Sequence, residues 1–411
     1  MLKERDIAIL RELAEKYISF ASLPTQATTK ERWSALNSDK MQKPMVLINQ
    51  MPWNELTEDS LVCMIEDRYW RGVENNLRQK IYQWEHLPVD MLLPPYVAIP
   101  RAISIKEPGG NYGLVFQNER RGGENGSVSS KQIIDILETE EDLGKIRPAT
   151  VLWNQGQDKL HLEQAEKIFD GIAPVLMSGV RQHLGLWDTV SFAKGVTNCY
   201  MDLYDRPEFL HSIMRRLTDC ALALTRQYDE MKLFDATSMT CHCSVTYGSG
   251  LPTGTDTVGA KDAWAFGMAQ LFSSTSPDIT EEFELPYMQE LFANFGAVYY
   301  GCCERLDDRL ELIDQLPNVR KVSCSPWSDR DAFAEKLNKK YIMSNKPNPA
   351  LLAAPDFDEA LIRDDLRRTM RAAREHGVAL EMILKDISTV KNDPSRLWRW
   401  AQIAAEETAN F

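Results

Sequence analysis

Between residues 297 and 345 short apolar runs alternate with amphipathic stretches in units of about 20 residues, compact even for a strand–helix–strand repeat. The runs are Ala297 to Gly301, Val319 to Cys324 and Tyr341 to Asn345. Met239 to Cys243 and Val378 to Leu384 extend the series on either side. Helical spacing of apolar residues predicts helices at about 160–183, 207–233, 279–295, 305–315, 330–338 and 357–376. Strands alternating with helices imply a parallel sheet with crossover helices. The tight cadence favours an α/β fold closed into a βα barrel. No Gly-rich dinucleotide fingerprint or P-loop follows a strand candidate, which argues against Rossmann and P-loop readings.

The first part of the chain reads differently. Residues 1–40 are helical in pattern, with Leu2, Ile7, Leu10, Leu13 and Ile18 near helical spacing. A short buried-strand candidate follows between Lys43 and Trp53, then a charged helical stretch over 57–86. Tyr96 to Pro100 is strand-like, and 106–130, rich in Gly, Asn and Ser, predicts loops or an irregular hairpin. The expected organisation is an N-terminal helical extension, 1–90, packed on a barrel, 91–411. Asp205-Arg206-Pro207, Ser276-Pro277-Asp278 and Asp393-Pro394-Ser395 mark helix starts.

The net charge of -13 over 411 residues disfavours binding to a phosphate backbone and suits a small-molecule ligand. No nucleic-acid partner is expected. No apolar run approaches membrane-helix length, and Met1 to Asp6 lacks a signal-peptide core, so the expected location is the cytoplasm. Thiols stay reduced there, and eight cysteines in so long a chain do not suggest a disulfide framework. Cys63, Cys199 and Cys220 read as small buried apolar residues.

The remaining cysteines follow strand-like runs. Tyr299-Tyr300-Gly301-Cys302-Cys303-Glu304 ends a strand in two adjacent thiols, and Cys241-His242-Cys243 ends another. If the strands form a barrel, such ends share the face where barrels do chemistry. Thiolates and imidazole are zinc ligands, and a catalytic zinc uses three protein ligands with one position left open. Cys302, Cys303, His242 and Cys243 are therefore metal-ligand candidates, although no CxxC pair is present. Buried packing is the competing reading for each. Glu381 lies inside an apolar strand, where an ionised carboxylate needs a partner. It reads either as half of a structural ion pair or as an acid/base, with Lys385 and Asp386 at the same strand end. Trp53, Trp187 and Trp327 fall near strand or loop ends and are candidates to line a pocket. Asn345 and Lys346, held by Pro347 and Pro349, end a strand in polar residues suited to contacting a substrate. His86, His161, His183, His211 and His376 read as surface or packing residues.

Several segments resemble the uroporphyrinogen decarboxylase superfamily, which includes the cobalamin-dependent methyltransferases of the methylcobamide:coenzyme M type. Asp205-Arg206-Pro207-Glu208-Phe209-Leu210-His211 looks like its helix start, and Ser276-Pro277 with Glu282-Phe283 and Pro286-Tyr287 like its Ser-Pro…Glu-Phe…Pro-Tyr segment. Tyr300-Gly301-Cys302 falls where the methyltransferases carry His-x-Cys, Ser344-Asn345-Lys346-Pro347 near their Gly-Asn strand end, and Lys385-Asp386 near their last zinc cysteine. The resemblance covers roughly 160–405. It implies a single (β/α)8 TIM barrel with its site at the C-terminal strand ends.

Two departures matter. Tyr300 replaces the histidine ligand and no cysteine stands near Asp386. The Arg-rich signature of true uroporphyrinogen decarboxylases is absent, with Pro52-Trp53 its only trace. The expectation is methyl transfer between a small methylated compound or thiol and a corrinoid on a partner protein, with zinc at Cys302. Catalytic candidates are Glu381, Asp386 and Tyr300, and substrate contacts Trp53, Trp327, Asn345 and Lys346. The alternatives are a metal-free decarboxylase or lyase, using Lys346, Arg305 or Arg320 with Asp386, and a non-catalytic corrinoid- or tetrapyrrole-binding barrel. The corrinoid-binding Asp-x-His-x-x-Gly string is absent, and the resemblance makes a second copy of the chain a candidate partner.

Overall fold

The computed structural model of the protein describes residues 2–121 and 130–411. Eight short strands carry its parallel pairing: β1 (Met45–Ile48), β2 (Val97–Pro100), β3 (Val175–Ser178), β4 (Trp264–Gly267), β5 (Ala297–Tyr300), β6 (Val319–Cys324), β7 (Ile342–Asn345) and β8 (Leu380–Leu384). Six of them form a central parallel sheet in the order β1-β8-β7-β6-β5-β4. β2 and β3 make a separate parallel pair. Isolated parallel bridges, Val180 to Phe234 and His183 to Phe266, lead from the end of β3 to β4. The main helices are α1 (Glu4–Ala21), α2 (Pro24–Leu36), α3 (Arg68–His86), α4 (Gln155–Phe169), α5 (Pro207–Glu230), α6 (Glu359–His376) and α7 (Ser395–Ala409).

The period-2 geometry of strands sorts the sheet residues into two clusters. Met45, Leu47, Phe266, Tyr299, Ile342 and Ile383 pack on one face with Trp33, Met239, Cys241, Cys243 and Cys302. Val46, Ile48, Ala265, Val298, Tyr300, Val322, Met343, Met382 and Leu384 pack on the other, against the helices. The first face also carries a buried ion pair: Lys321 Nζ lies 2.8 Å from Glu381 Oε2, both side chains being fully buried. Lys321 also donates to Ser244 Oγ and the Val245 carbonyl, so its charge is fully engaged.

The N-terminal ninety residues are not a purely helical extension. β1 pairs in parallel with β8, from Met45 opposite Glu381 to Ile48 opposite Leu384. In a separate cluster, α1 and α3 bury Leu10, Tyr17, Trp70, Leu77 and Ile81 against β2, β3 and α4. Asp67 caps α3 by accepting from the backbone N–H groups of Tyr69 and Trp70.

Several expected elements are shorter than their patterns. The helix expected over 160–183 stops at Phe169, because Gly171 adopts φ 75° and β3 follows. Glu284 and Pro286 divide 279–295 into Pro277–Phe283 and Leu285–Phe292. The stretch 305–315 holds only Leu310–Ile313. Its charged residues bond outside a helix: Arg305 to Asp307, and Arg309 to Asp308, the Phe272 and Thr275 carbonyls and Thr280 Oγ1. β4, inside the apolar run Ala263 to Ala269, was not among the expected strands. Two antiparallel strands, Gln117–Arg121 and Ser130–Ile134, account for part of the expected hairpin, whose turn lies outside the described residues.

Candidate active site

Four residues just beyond strand ends hold left-handed backbone: Gln50 (φ 48°), His242 (φ 52°), Gly301 (φ 88°) and Asp386 (φ 54°). Such conformations cost about 1–3 kcal/mol for a non-glycine residue and gather at functional sites. Gly301 is required where it stands. A Cβ there would lie 2.5 Å from Leu306 Cδ1 and 3.1 Å from Ser323 Cβ. Its turn brings Cys302 onto the same face as Tyr299. Cys302 N–H then donates to Glu304 Oε2 at 2.8 Å, and Ser323 Oγ donates to the Cys302 carbonyl at 2.7 Å.

The Met239 to Cys243 run is a small hairpin, Thr240–Cys241 against Ser244–Val245, with His242 in its turn. The His242 ring stacks on Phe266 at 4.0 Å. Its Nε2 lies 3.9 Å from Cys302 Sγ and 3.3 Å from Lys385 Nζ. Lys385, almost fully buried, reaches Cys302 Sγ at 2.8 Å and Asp386 Oδ2 at 3.0 Å. Cys303 Sγ lies 3.6 Å from Cys302 Sγ and 3.1 Å from Asp386 Oδ2. One ligand atom from each of Cys302, Cys303 and Asp386 fits within 4.8 Å of the others.

These contacts leave one thiolate in the pair, on Cys302. Its thiol is held far below the ordinary range by the hydrogen bond from Cys303, then by His242 and Lys385, against the opposing effect of burial. Cys303 is pushed up, first by that same hydrogen bond and then by burial. Burial alone would favour neutral Lys385, but the thiols of Cys243 and Cys302 and the Asp386 carboxylate outweigh it and raise it. Burial lowers His242, and Lys385 adds to that.

Behind the thiols stand three carboxyl groups raised by burial: Glu304 to about 7, Asp188 to about 6 and Glu284 to about 8. The Cys302 charge adds to the first two. Both Glu284 oxygens lack a hydrogen-bond partner among the described residues. In front, His242 borders two cavities, of about 560 Å³ and about 270 Å³.

The structure thus brings together Cys302, Cys303, His242 and Asp386 of the residues singled out from sequence, with Lys385. It places the others elsewhere. Cys243 Sγ faces the Tyr299 hydroxyl at 3.6 Å, outside the group. Tyr300 turns to the opposite sheet face, beside Glu284 and Phe292. Glu381 is committed to Lys321, the structural ion pair. Asn345 is buried against the Cys324 carbonyl and Thr369, and Lys346 Nζ bonds Ser344. Trp53 packs edge-on against Tyr82. Trp327, 70% exposed, lines a separate cavity with Arg305. Arg320 lines another small cleft, with Asp39 and Lys340.

Sequence reasoning passed over His183, whose ring lies 4.9 Å from Phe266 and 6.4 Å from His242. It also left Lys385 with no stated role of its own. The strand-end position after a buried run was the available signal for Lys385, whereas His183 fell inside an expected helix.

No protein-family model and no curated protein matches the chain. Among solved structures, a methyltransferase from Methanosarcina mazei aligns over 93% of this chain and 98% of its own, with 12% identity and a TM-score of 0.46. At that level the likeness assigns no residue. No helix among the described residues is long and apolar enough to cross a membrane.

Proposed function

We propose that the chain is a methyltransferase built as a (β/α)8 barrel of the uroporphyrinogen decarboxylase type, with Cys302 at its reactive centre. The methyl group would pass between a small methylated compound or thiol and a corrinoid presented by a partner protein. The observation that carries this reading is the environment of Cys302 Sγ: Lys385 at 2.8 Å, Cys303 at 3.6 Å and His242 at 3.9 Å. The motif resemblances around Asp205, Ser276 and Cys302 support it, as do the two parallel strand groups linked by bridges, which suit a barrel.

The donor set of two thiols and a carboxylate, with an imidazole nearby, fits zinc. Cys302, Cys303 and Asp386 would hold it, and zinc there would lower the pKa of a thiol acceptor. The chain's own groups do the rest. Lys385 balances the Cys302 charge, Asp386 orients Cys303, and His242 is placed to move a proton between the cavity and the thiols. The test is methyl transfer from methylcobalamin to a thiol acceptor, run beside metal analysis of the purified protein. Stoichiometric zinc and loss of transfer in Cys302→Ala are expected. Full activity of metal-free wild type would remove zinc from the reading, and full activity of Cys302→Ala would end it.

One observation favours a second reading. Lys385 already supplies a cation at the Cys302 sulfur, so the thiolate is compensated without metal. A metal-free lyase acting on a carboxylate substrate, with Asp386 as acid, would use that arrangement. Activity surviving chelation and lost in Asp386→Asn would select it.

A further inference from the structure

The cavity of about 560 Å³ bordered by His242 has a lining unlike the rest of this acidic protein. Lys80, Arg181 and His242 face it, and no Asp or Glu does, in a chain whose net charge is -13. On α3, Gly72, Asn76, Lys80 and Gln83 recur at steps of four, four and three, which puts them on one helix face toward the cavity. An added Cβ at Gly72 would meet nothing within 4 Å, so the helix leaves open space there. The side chains of Asn76, Lys80 and Gln83 make no hydrogen bond or ion pair among the described residues; Lys80 Nζ only overlies the Tyr17 ring at 5.5 Å. Across from them Arg181 uses its Nε on Asp235, at 2.9 Å, and keeps both terminal nitrogens free of partners among the described residues. The other walls mix apolar side chains, including Leu47, Leu87, Met91, Leu92 and Met239, with the neutral polar residues Asn49, Ser178, Thr237, Ser238 and Thr240.

An unpaired ammonium beside a guanidinium with two free nitrogens, at one part of a cavity of this size whose remaining lining is apolar or neutral, is the chemistry of a ligand site. We propose that this cavity binds a small amphiphilic organic anion, its oxyanion head on Lys80 and Arg181 and its apolar body running along the cavity toward His242. His242 Nε2 stands 3.9 Å from Cys302 Sγ, so the far end of such a ligand meets the reactive thiol across one imidazole. As a statement about the substrate of Cys302 the assignment rests on the transferase reading; as a statement about binding it does not.

The groups facing Lys80 agree. Burial first, then the Arg181 charge, bring it down to about 8, with Asp235 opposing and the Tyr17 ring uncharged beneath it. A cationic Lys80 carries a cost that an anion would relieve. Affinity is therefore highest below pH 8 and falls as pH rises through it.

Calorimetric titration of the full chain with hexanoate and with hexylphosphonate, against hexan-1-ol as the neutral control, tests the site. Both anions should bind at least about tenfold more tightly than the alcohol. Lys80→Met should lose about tenfold or more in anion affinity, Lys80→Arg should retain most of it, and Cys302→Ala should bind as wild type does. A preference for hexylphosphonate over hexanoate identifies a phosphate-type head, and the reverse a carboxylate. Equal binding of alcohol and anions, or wild-type anion affinity in a folded Lys80→Met protein, overturns the proposal. Anion binding that persists while methyl transfer fails would overturn only the transferase reading.

Discussion

Lys385 Nζ and Cys302 Sγ stand 2.8 Å apart although 83 positions separate them in the chain. Parallel pairing through β6 and β7 makes the meeting possible. β8 and β5 end at the same rim, and the residues just past Leu384 and Tyr300 fold inward over it. The ammonium is the only cation that reaches the thiolate by hydrogen bond among the described residues, so its removal has a defined effect.

Lys385→Met should raise the Cys302 pKa and slow alkylation by iodoacetamide at neutral pH. Once that pKa lies above the assay pH, the thiolate fraction falls about tenfold for every further pH unit between them. The wild-type rate should be flat through the neutral range, while the variant's rate should climb with pH. An unchanged profile would show that Cys303 and His242 suffice without the lysine.

Zinc and cobalt titrations address the donor set. Cobalt(II) bound by Cys302, Cys303 and Asp386 should give thiolate-to-metal charge-transfer absorption, weakened in Cys303→Ser and lost in Cys302→Ala. Identical spectra for the three proteins would place the metal elsewhere.

The Lys321–Glu381 pair is a matter of stability, not chemistry. Glu381→Gln leaves Lys321 as an uncompensated buried charge and should destabilise by about 3–5 kcal/mol in urea unfolding. The double variant Lys321→Met with Glu381→Leu should recover most of that. A Glu381→Gln protein as stable as wild type but inactive would return Glu381 to the acid/base candidates.

Glu284 gives the protein a pH signature. Its carboxyl is raised from 4.5 to about 8 by burial, so the folded protein binds a proton that the unfolded chain releases. Its contribution to stability is complete below pH 4.5 and lost as pH rises through about 8, on the order of a few kcal/mol. Glu284→Gln should flatten the fall between these limits, read as melting temperature against pH.

Gly301→Ala tests the turn that aims Cys302. A side chain at φ 88° with Leu306 Cδ1 at 2.5 Å should cost more than about 1 kcal/mol and change Cys302 alkylation along with it. A stability loss with unaltered thiol reactivity would show that the turn does not set the thiol position.

Much of this was legible in sequence. The apolar runs beginning at Ala297, Val319, Tyr341 and Val378 hold strands of one parallel sheet, and the thiols Cys302 and Cys303 do meet His242 and Asp386. A strand end marks which side of a sheet a residue joins, and that much is local. The direction of a side chain is not. Tyr299 and Tyr300 are equally plausible beside Gly301, yet alternation sends one toward the thiols' face and the other to the helices. Trp53 and Trp327 sit near strand ends, but one packs on Tyr82 and the other faces solvent. β4, Trp264 to Gly267, was passed over although it lies in the apolar run Ala263 to Ala269, whose Gly267 and small alanines do not mark it as strand rather than loop; pairing with β5 fixes it. Lys80 was invisible as a site residue, since a lysine in a charged helix reads as solvated until the opposite wall is known.

The left-handed residues at Gln50, His242 and Asp386 set reactivity against durability. Glycine at any of the three would relax the backbone, so selection for heat resistance would favour it there. At His242 and Asp386 that gain would erase an imidazole or a carboxylate from the thiol group. Laboratory evolution toward ruggedness should thus drift, at these two turns, to a sturdier protein with a silent rim.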